Sequence, residues 1–215
     1  ARSSQPPPMM SRCTPWIAAI CFAVINSTVA PSASPQARRY ARQWIDARAH
    51  GRKAIALTLR EVDTTILRNS DIGEWTRFAR LLQEAGYFPI IVRDTDRALD
   101  RPPPPFDGLP LFSEAAFNLD LRIALYEECH IAAFVSNGPS HAGYFDRDVR
   151  YLYFVTGEWR KGNPPAFYRV GVSEDTCPPF CNDYQRWVWC EQDADLFMQE
   201  LLSLDAKIEA ARANG

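Results

Sequence analysis

Short apolar runs recur along the chain from residue 37, and each gives way to polar residues and then to apolar positions at helical spacing. Gln36 to His50 places Ala, Trp and Ile on one side of a helix without a breaker, and Gly51 stops it. Ala54 to Leu59 is an apolar run with charge on both sides, which predicts a strand buried on both faces. Residues 60 to 69 are polar and aperiodic, a loop. Ser70 or Asp71 caps the next helix, Glu74 sits in its first turn, and Trp75, Phe78, Ala79, Leu81, Leu82 and Ala85 form its apolar face. Gly86 ends it, and Phe88 to Val92 is a second buried strand.

Arg101-Pro-Pro-Pro-Pro105 reads as an extended surface segment, because proline lacks the amide that helix and central sheet require. A helix over residues 118 to 130 follows, then strands over 131 to 135 and 151 to 155. Residues 177 to 190 look irregular and aromatic, and a long helix spans 193 to 213. Strands alternating with helices predict an α/β fold, a Rossmann-like and mostly parallel sheet with helices on both faces. Ligands bind such sheets at the carboxyl ends of the strands, which directs attention to Arg60, Asp94 and Ser136.

The 215 residues are 47% hydrophobic and 23% charged, which excludes a disordered, collagen-like or disulfide-scaffold protein. The length suits one domain with an appendage: a leader over 1–36, a Rossmann-like domain over 37–175, and an aromatic, cysteine-containing loop with a terminal helix over 176–215. A net charge of −2 gives no long-range pull on nucleic acid, so no nucleic-acid partner is expected. In the leader, Arg12 precedes an apolar run from Trp16 to Ile25 and a small-residue stretch from Ser27 to Ala33. That is the layout of a secretory signal, and the run is too short to span a bilayer. The alternative is the remnant of a preceding domain, or an amino-terminal segment without a targeting role.

Two loops on the predicted rim carry chemistry. Ser136-Asn-Gly-Pro-Ser-His141 follows the third strand, where Gly138 admits close approach and Pro139 fixes a turn whose amides and hydroxyls suit phosphate oxygens. Arg60, Arg68, Asn69 and Ser70 lie after the first strand, where an arginine can grip a diphosphate in a forked geometry. The plainer readings are a Gly-Pro turn with a surface histidine, and solvated arginines.

The stretch Arg68-Asn-Ser-Asp-Ile-Gly-Glu-Trp75, followed by an amphipathic helix, Gly86-Tyr87 and a strand, resembles the carboxyl-terminal domain of GT-B glycosyltransferases. The nearest likeness is the ADP-heptose:lipopolysaccharide heptosyltransferase group, and it covers residues 54 to 155. Gly138, Pro139 and His141 match that group's Ser-Gly-Pro-x-His motif, and Arg68 matches its basic residue. Asn137 stands where serine is usual, Ser136 replaces an acidic residue, and Arg93-Asp94 replaces Gly-Gly after the second strand.

The resemblance implies that Arg68, Asn137, Gly138, Pro139 and His141, with Arg60 and Ser136 beside them, hold the diphosphate of a nucleotide-sugar donor. It implies no cofactor and no metal, because basic side chains and a helix start stabilise the leaving diphosphate. A glycan or lipid-linked acceptor and a companion chain carrying the acceptor domain are the implied partners. The implied location is cytoplasmic, at the inner membrane face, or exported if the leader is a signal.

Other signals compete. Asp94-Thr95-Asp96 has the acidic-x-acidic form that holds a divalent cation in GT-A enzymes. Asp146 and Asp148 read as solvated loop charges. Cys177, Cys181 and Cys190 supply three thiols where structural zinc needs four ligands, which leaves a disulfide or reduced cysteines. Cys129 and His130 are adjacent on a helix and point apart, a poor nucleophile and base. Trp187 and Trp189, alternating with Val188, read as one strand or turn against the core, or as a platform for a sugar.

Overall fold

In the computed structural model, which describes residues 31–64, 66–138, 140–156, 172 and 176–214, five strands form one parallel sheet. They are β1 (Ala54–Thr58), β2 (Phe88–Val92), β3 (Ile131–Val135), β4 (Tyr151–Val155) and β5 (Gln185–Trp189). The order is β2-β1-β3-β4-β5, and every neighbouring pair is parallel. The leader run from Trp16 to Ile25, its small-residue stretch up to Ala30, and Pro139 lie outside the described residues.

β1 to β4 are buried at every position, which is why their sequences are apolar throughout instead of alternating. β5 buries only Gln185, Trp187 and Trp189, as an edge strand does. It lies inside the stretch that the sequence presents as irregular, and only the Trp187/Trp189 alternation marks it. Both indoles turn inward: the ring of Trp187 packs 4.3 Å from that of Tyr153, and Trp189 donates its indole N–H to the carbonyl of Thr176.

The period of two sorts the strand side chains into two cores. Ala56, Ile90, Phe134 and Tyr153 face α1 (Pro35–Ala49) and α4 (Leu119–Glu128). Leu57, Ile91, Ala133 and Phe154 face α2 (Ile72–Glu84) and α6 (Ala194–Ala213). Three layers result, with the sheet between two pairs of helices. Helix α1 buries Ala37, Ala41, Ile45 and Ala49, a stripe of mostly small residues that lets α4 come close. It ends at His50, in the left-handed region with φ 51°, one residue before the glycine that the sequence marks as its stop. The remaining helices, α3 (Glu114–Phe117) and α5 (His141–Tyr144), are single turns, and the proline run ends in a 3-10 turn over Pro104–Phe106.

Gly143 in α5 sits against the rings of Phe134 and Tyr126, which pack edge to face with centroids 4.8 Å apart. A methyl group there would lie 2.5 Å from Phe134 Cζ and 2.9 Å from Tyr126 Cδ2. Neither buried ring has room to withdraw, so Gly143→Ala should cost about 1–3 kcal/mol. Urea unfolding measures this, and an unchanged midpoint would contradict the tight approach of α5.

Candidate functional site

The strand order reverses between β1 and β3, and parallel sheets form a crevice at such a point, beyond the carboxyl ends of the strands. Residues 60–70 leave β1 there as a closed loop. Arg60 donates its amide to Ser70 Oγ at 2.9 Å, and Ser70 returns its own amide to the Arg60 carbonyl at 2.9 Å. Asn69 clasps Val62 through both ends of its side-chain amide, at 3.1 and 2.7 Å. Asn69 and Ser70 are therefore staples of the loop. A 3-10 turn over Ile66–Arg68 then carries the Arg68 guanidinium to the loop after β3, where Nη2 lies 3.3 Å from Ser136 Oγ and 3.4 Å from its carbonyl. From the other side Asn137 donates Nδ2 to the carbonyl of Leu59 at 3.1 Å.

The structure thus brings Arg60, Arg68, Ser136 and Asn137 together at the reversal point. The turn itself differs from an open cradle of amides. Ser140 donates its amide to Asn137 Oδ1 at 2.9 Å and its hydroxyl to the Asn137 carbonyl at 2.7 Å. The amide of His141 and its ring Nδ1 both face the Gly138 carbonyl, at 3.1 and 2.8 Å. Asn137 is 4% exposed and acts as a strut, and Ser136 and Ser140 are buried with it. Gly138 and His141 are exposed, Arg60 and Arg68 half-buried, and a Cβ at Gly138 would meet only open space.

The helix start expected to help hold a diphosphate is occupied by protein groups. At α2, Asp71 Oδ1 accepts the amide of Glu74, while Gln192 Oε1 accepts the Asp71 amide at 2.8 Å and the Trp75 indole at 2.9 Å. A carboxylate already holds that helix end. At α5 the first amides turn back into the turn, as above.

Sequence reasoning missed Tyr153. Tyr153 rises from β4 beneath the crevice; burial pushes its phenol up to about 12, while Ser136 and the Arg68 charge pull the other way. The tyrosines of β4 are the available signal, since a buried hydroxyl needs a polar partner.

Beside the crevice, Arg93 takes the place of the resemblance's glycine. Its guanidinium forks onto Glu61, with Nη2 2.7 Å and Nε 3.0 Å from the carboxylate oxygens. The two side chains are only 6% and 11% exposed, so the pair ties the loop after β2 to the loop after β1. Asp94 Oδ2 accepts the amide of Glu61 at 3.3 Å and starts a 3-10 turn, so this carboxylate has a structural task apart from any cation. Asp146 is a correction to the sequence reading: it is buried, its Oδ1 accepts the amide of Asp148, and burial raises its pKa.

At the opposite rim, residues just before the strands meet α6. Asp205 accepts Lys53 Nζ at 2.8 Å, Tyr87 Oη at 2.6 Å and faces His130 Nε2 at 2.5 Å. Burial holds the imidazole below its ordinary pKa, so it stays neutral near pH 7. Cys129, buried beside it in sequence, has its thiol pushed up by burial. His130, Asp205 and Glu209 lie close enough together to ligate an ion, but the Lys53 ammonium bridges both carboxylates, 3.1 Å from Glu209. The cluster is a salt-bridged clasp. Two cavities, of about 350 and 320 Å³, open on this rim and share Arg150 and Arg212.

No family model matches the chain, and no curated protein matches it in sequence. Two solved structures decide what the fold resembles. They are glycosyltransferases. One is the glycosyl transferase family 9 protein from Veillonella parvula DSM 2008, with 11% identity and a TM-score of 0.54 over 83% of this chain and 47% of that one. The other is the ADP-heptose lps heptosyltransferase II of E. coli, with 12% identity and a TM-score of 0.55 over 86% of this chain and 56% of that one. The likeness is one of fold, and the chain spans about half the length of each protein. The resemblance drawn from residues 54 to 155 has its counterpart in three dimensions at that level. Among the described residues no helix is long and apolar enough to cross a membrane.

Proposed function

We propose that this chain is the donor-binding half of a GT-B-type glycosyltransferase, holding a nucleotide-diphosphate sugar in the crevice between the loops after β1 and β3. The observation that carries the reading is the Arg68 guanidinium, delivered by a stapled loop to the Ser136 side of the strand-order reversal. As a glycosidic bond breaks, the leaving diphosphate gains negative charge. Arg68 and Arg60 supply fixed positive charge there, and the exposed His141 ring and Gly138 edge border the same opening. The glycosyltransferase fold supports the reading, in which a companion domain or chain would bring the glycan or lipid-linked acceptor and the general base. On this reading the protein works in the cytoplasm, at the inner membrane face where such acceptors are completed.

A second reading, a binding or partner domain without turnover, is favoured by two specific features. The amides of Ser140 and His141 are spent inside their own turn, and Ser136 replaces an acidic residue. It predicts nucleotide affinity without transfer, or no affinity.

Calorimetric titration with a panel of nucleotide diphosphates tests the proposal. We expect one member to bind, and Arg68→Ala to weaken it by about 1.5–3 kcal/mol, the size of a charge-assisted hydrogen bond. Absence of heat for every member, with folded protein confirmed by circular dichroism, would end it. Release of nucleotide with and without a companion chain separates the two readings.

A further inference from the structure

The segment Cys177-Pro-Pro-Phe-Cys181 plays no part in the crevice, yet it is built with care. Pro178 and Cys181 close a turn through the Cys181 amide at 3.0 Å, and the Phe180 ring packs on Phe145 at 5.1 Å. The Cys177 sulfur accepts the backbone amide of Trp187, in edge strand β5, at 3.3 Å. The Cys181 sulfur lies 3.3 Å from the buried hydroxyl of Tyr151 in β4. The two sulfurs thus meet the neighbouring strands β4 and β5, and both cysteines are free.

The pair is asymmetric. Cys177 is exposed and its sulfur accepts a hydrogen bond from a main-chain amide. Cys181 is half-buried and its sulfur faces the Tyr151 hydroxyl. Hydrogen bonds to a sulfur favour its thiolate, the form that attacks disulfides. Consistently, the Cys177 thiol is pulled down to about 6, first by Cys181 and then by the Trp187 amide and the Arg186 charge, against the cost of burial. Cys181 is pushed up by the neighbouring Cys177 and by burial. The other described cysteines, Cys129 and Cys190, are buried and serve as internal controls.

We propose that Cys177 and Cys181 form a thiol–disulfide exchange site for low-molecular-weight disulfides, with Cys177 attacking and Cys181 resolving. The Cys177 thiolate forms a bond to one sulfur of a disulfide RSSR and expels RS⁻, which takes up a proton. Cys181 then loses its proton to solvent and attacks the Cys177 sulfur of the mixed disulfide, expelling the second RS⁻. The two protein thiols are oxidised to one intrachain disulfide, and RSSR is reduced to two RSH.

The test is incubation of the full chain with oxidised glutathione at pH 7, acid quenching, and peptide mapping by mass spectrometry. The wild type should yield a Cys177–Cys181 linked peptide. Cys181→Ser should accumulate glutathione on Cys177, more than about tenfold faster than on Cys129 or Cys190. Cys177→Ser should leave Cys181 unmodified over the same interval. Circular dichroism of each variant establishes that these near-isosteric changes keep the fold. Glutathione settling on Cys177 at the rate of the buried cysteines, or a wild-type mixed disulfide that never converts to the linked peptide, would overturn the assignment.

Discussion

Trp75→Ala will cost the protein about 3–5 kcal/mol of stability, as removal of a large buried ring does. Trp75 is fully buried at the head of α2 and joins three elements at once. Its ring packs on Phe78 of its own helix, on Phe154 of β4 at 5.9 Å, and on Phe197 of α6 at 5.0 Å. Those rings cannot collapse into the vacated space without moving α6 off the sheet, so the cavity persists. The indole N–H also gives up its bond to Gln192. Against a typical total of about 5–15 kcal/mol, such a loss leaves a marginal fold. Denaturant titration of wild type, Trp75→Phe and Trp75→Ala orders the contributions: Phe keeps most of the packing and loses the hydrogen bond. A loss under about 1 kcal/mol for Ala would mean that α6 does not seal this face.

Glu61→Ala will be nearly as damaging, at about 3–5 kcal/mol, because it leaves a buried guanidinium without its carboxylate. Arg93 would keep only the Asp100 carbonyl at 3.2 Å and the face of Phe106 at 5.4 Å. The sign depends on which partner remains. Replacing both residues together by apolar side chains of similar volume, Glu61→Leu with Arg93→Met, should recover most of the loss, since neither charge is then stranded. A double-mutant cycle read by urea unfolding measures the coupling. Additive single effects would show that the pair is solvated and that the two loops are held by something else.

Strands β1 to β4 were readable because a strand covered on both faces has no polar positions to interrupt it. β5 was obscured because one of its faces leaves Arg186 and Val188 half-exposed, and because Gln185 is buried for its hydrogen bonds to the carbonyls of Asp146 and Val149. The rim loops were placed correctly by the strand ends alone, and the approach of Arg68 to Ser136 follows from β1 and β3 being neighbours. The direction of each side chain was not readable. Asn137 is a strut only because Leu59, distant in sequence, presents its carbonyl there, and Asp146 is buried only because Val149, Gln185 and the end of α4 enclose its loop. Local spacing carries no record of such distant partners.

Helix α6 is translated after every strand, yet it covers the middle of one sheet face. Until Phe197 and Leu201 have left the ribosome, the face bearing Leu57 and Phe154 stays wet and open to chaperones. The crevice ripens equally late, because Gln192, just ahead of that helix, latches the Asp71 amide and the Asn69 carbonyl beside Arg68. A nascent chain halted before residue 192 would therefore carry both arginines and lack the bolt that steadies the loop displaying them.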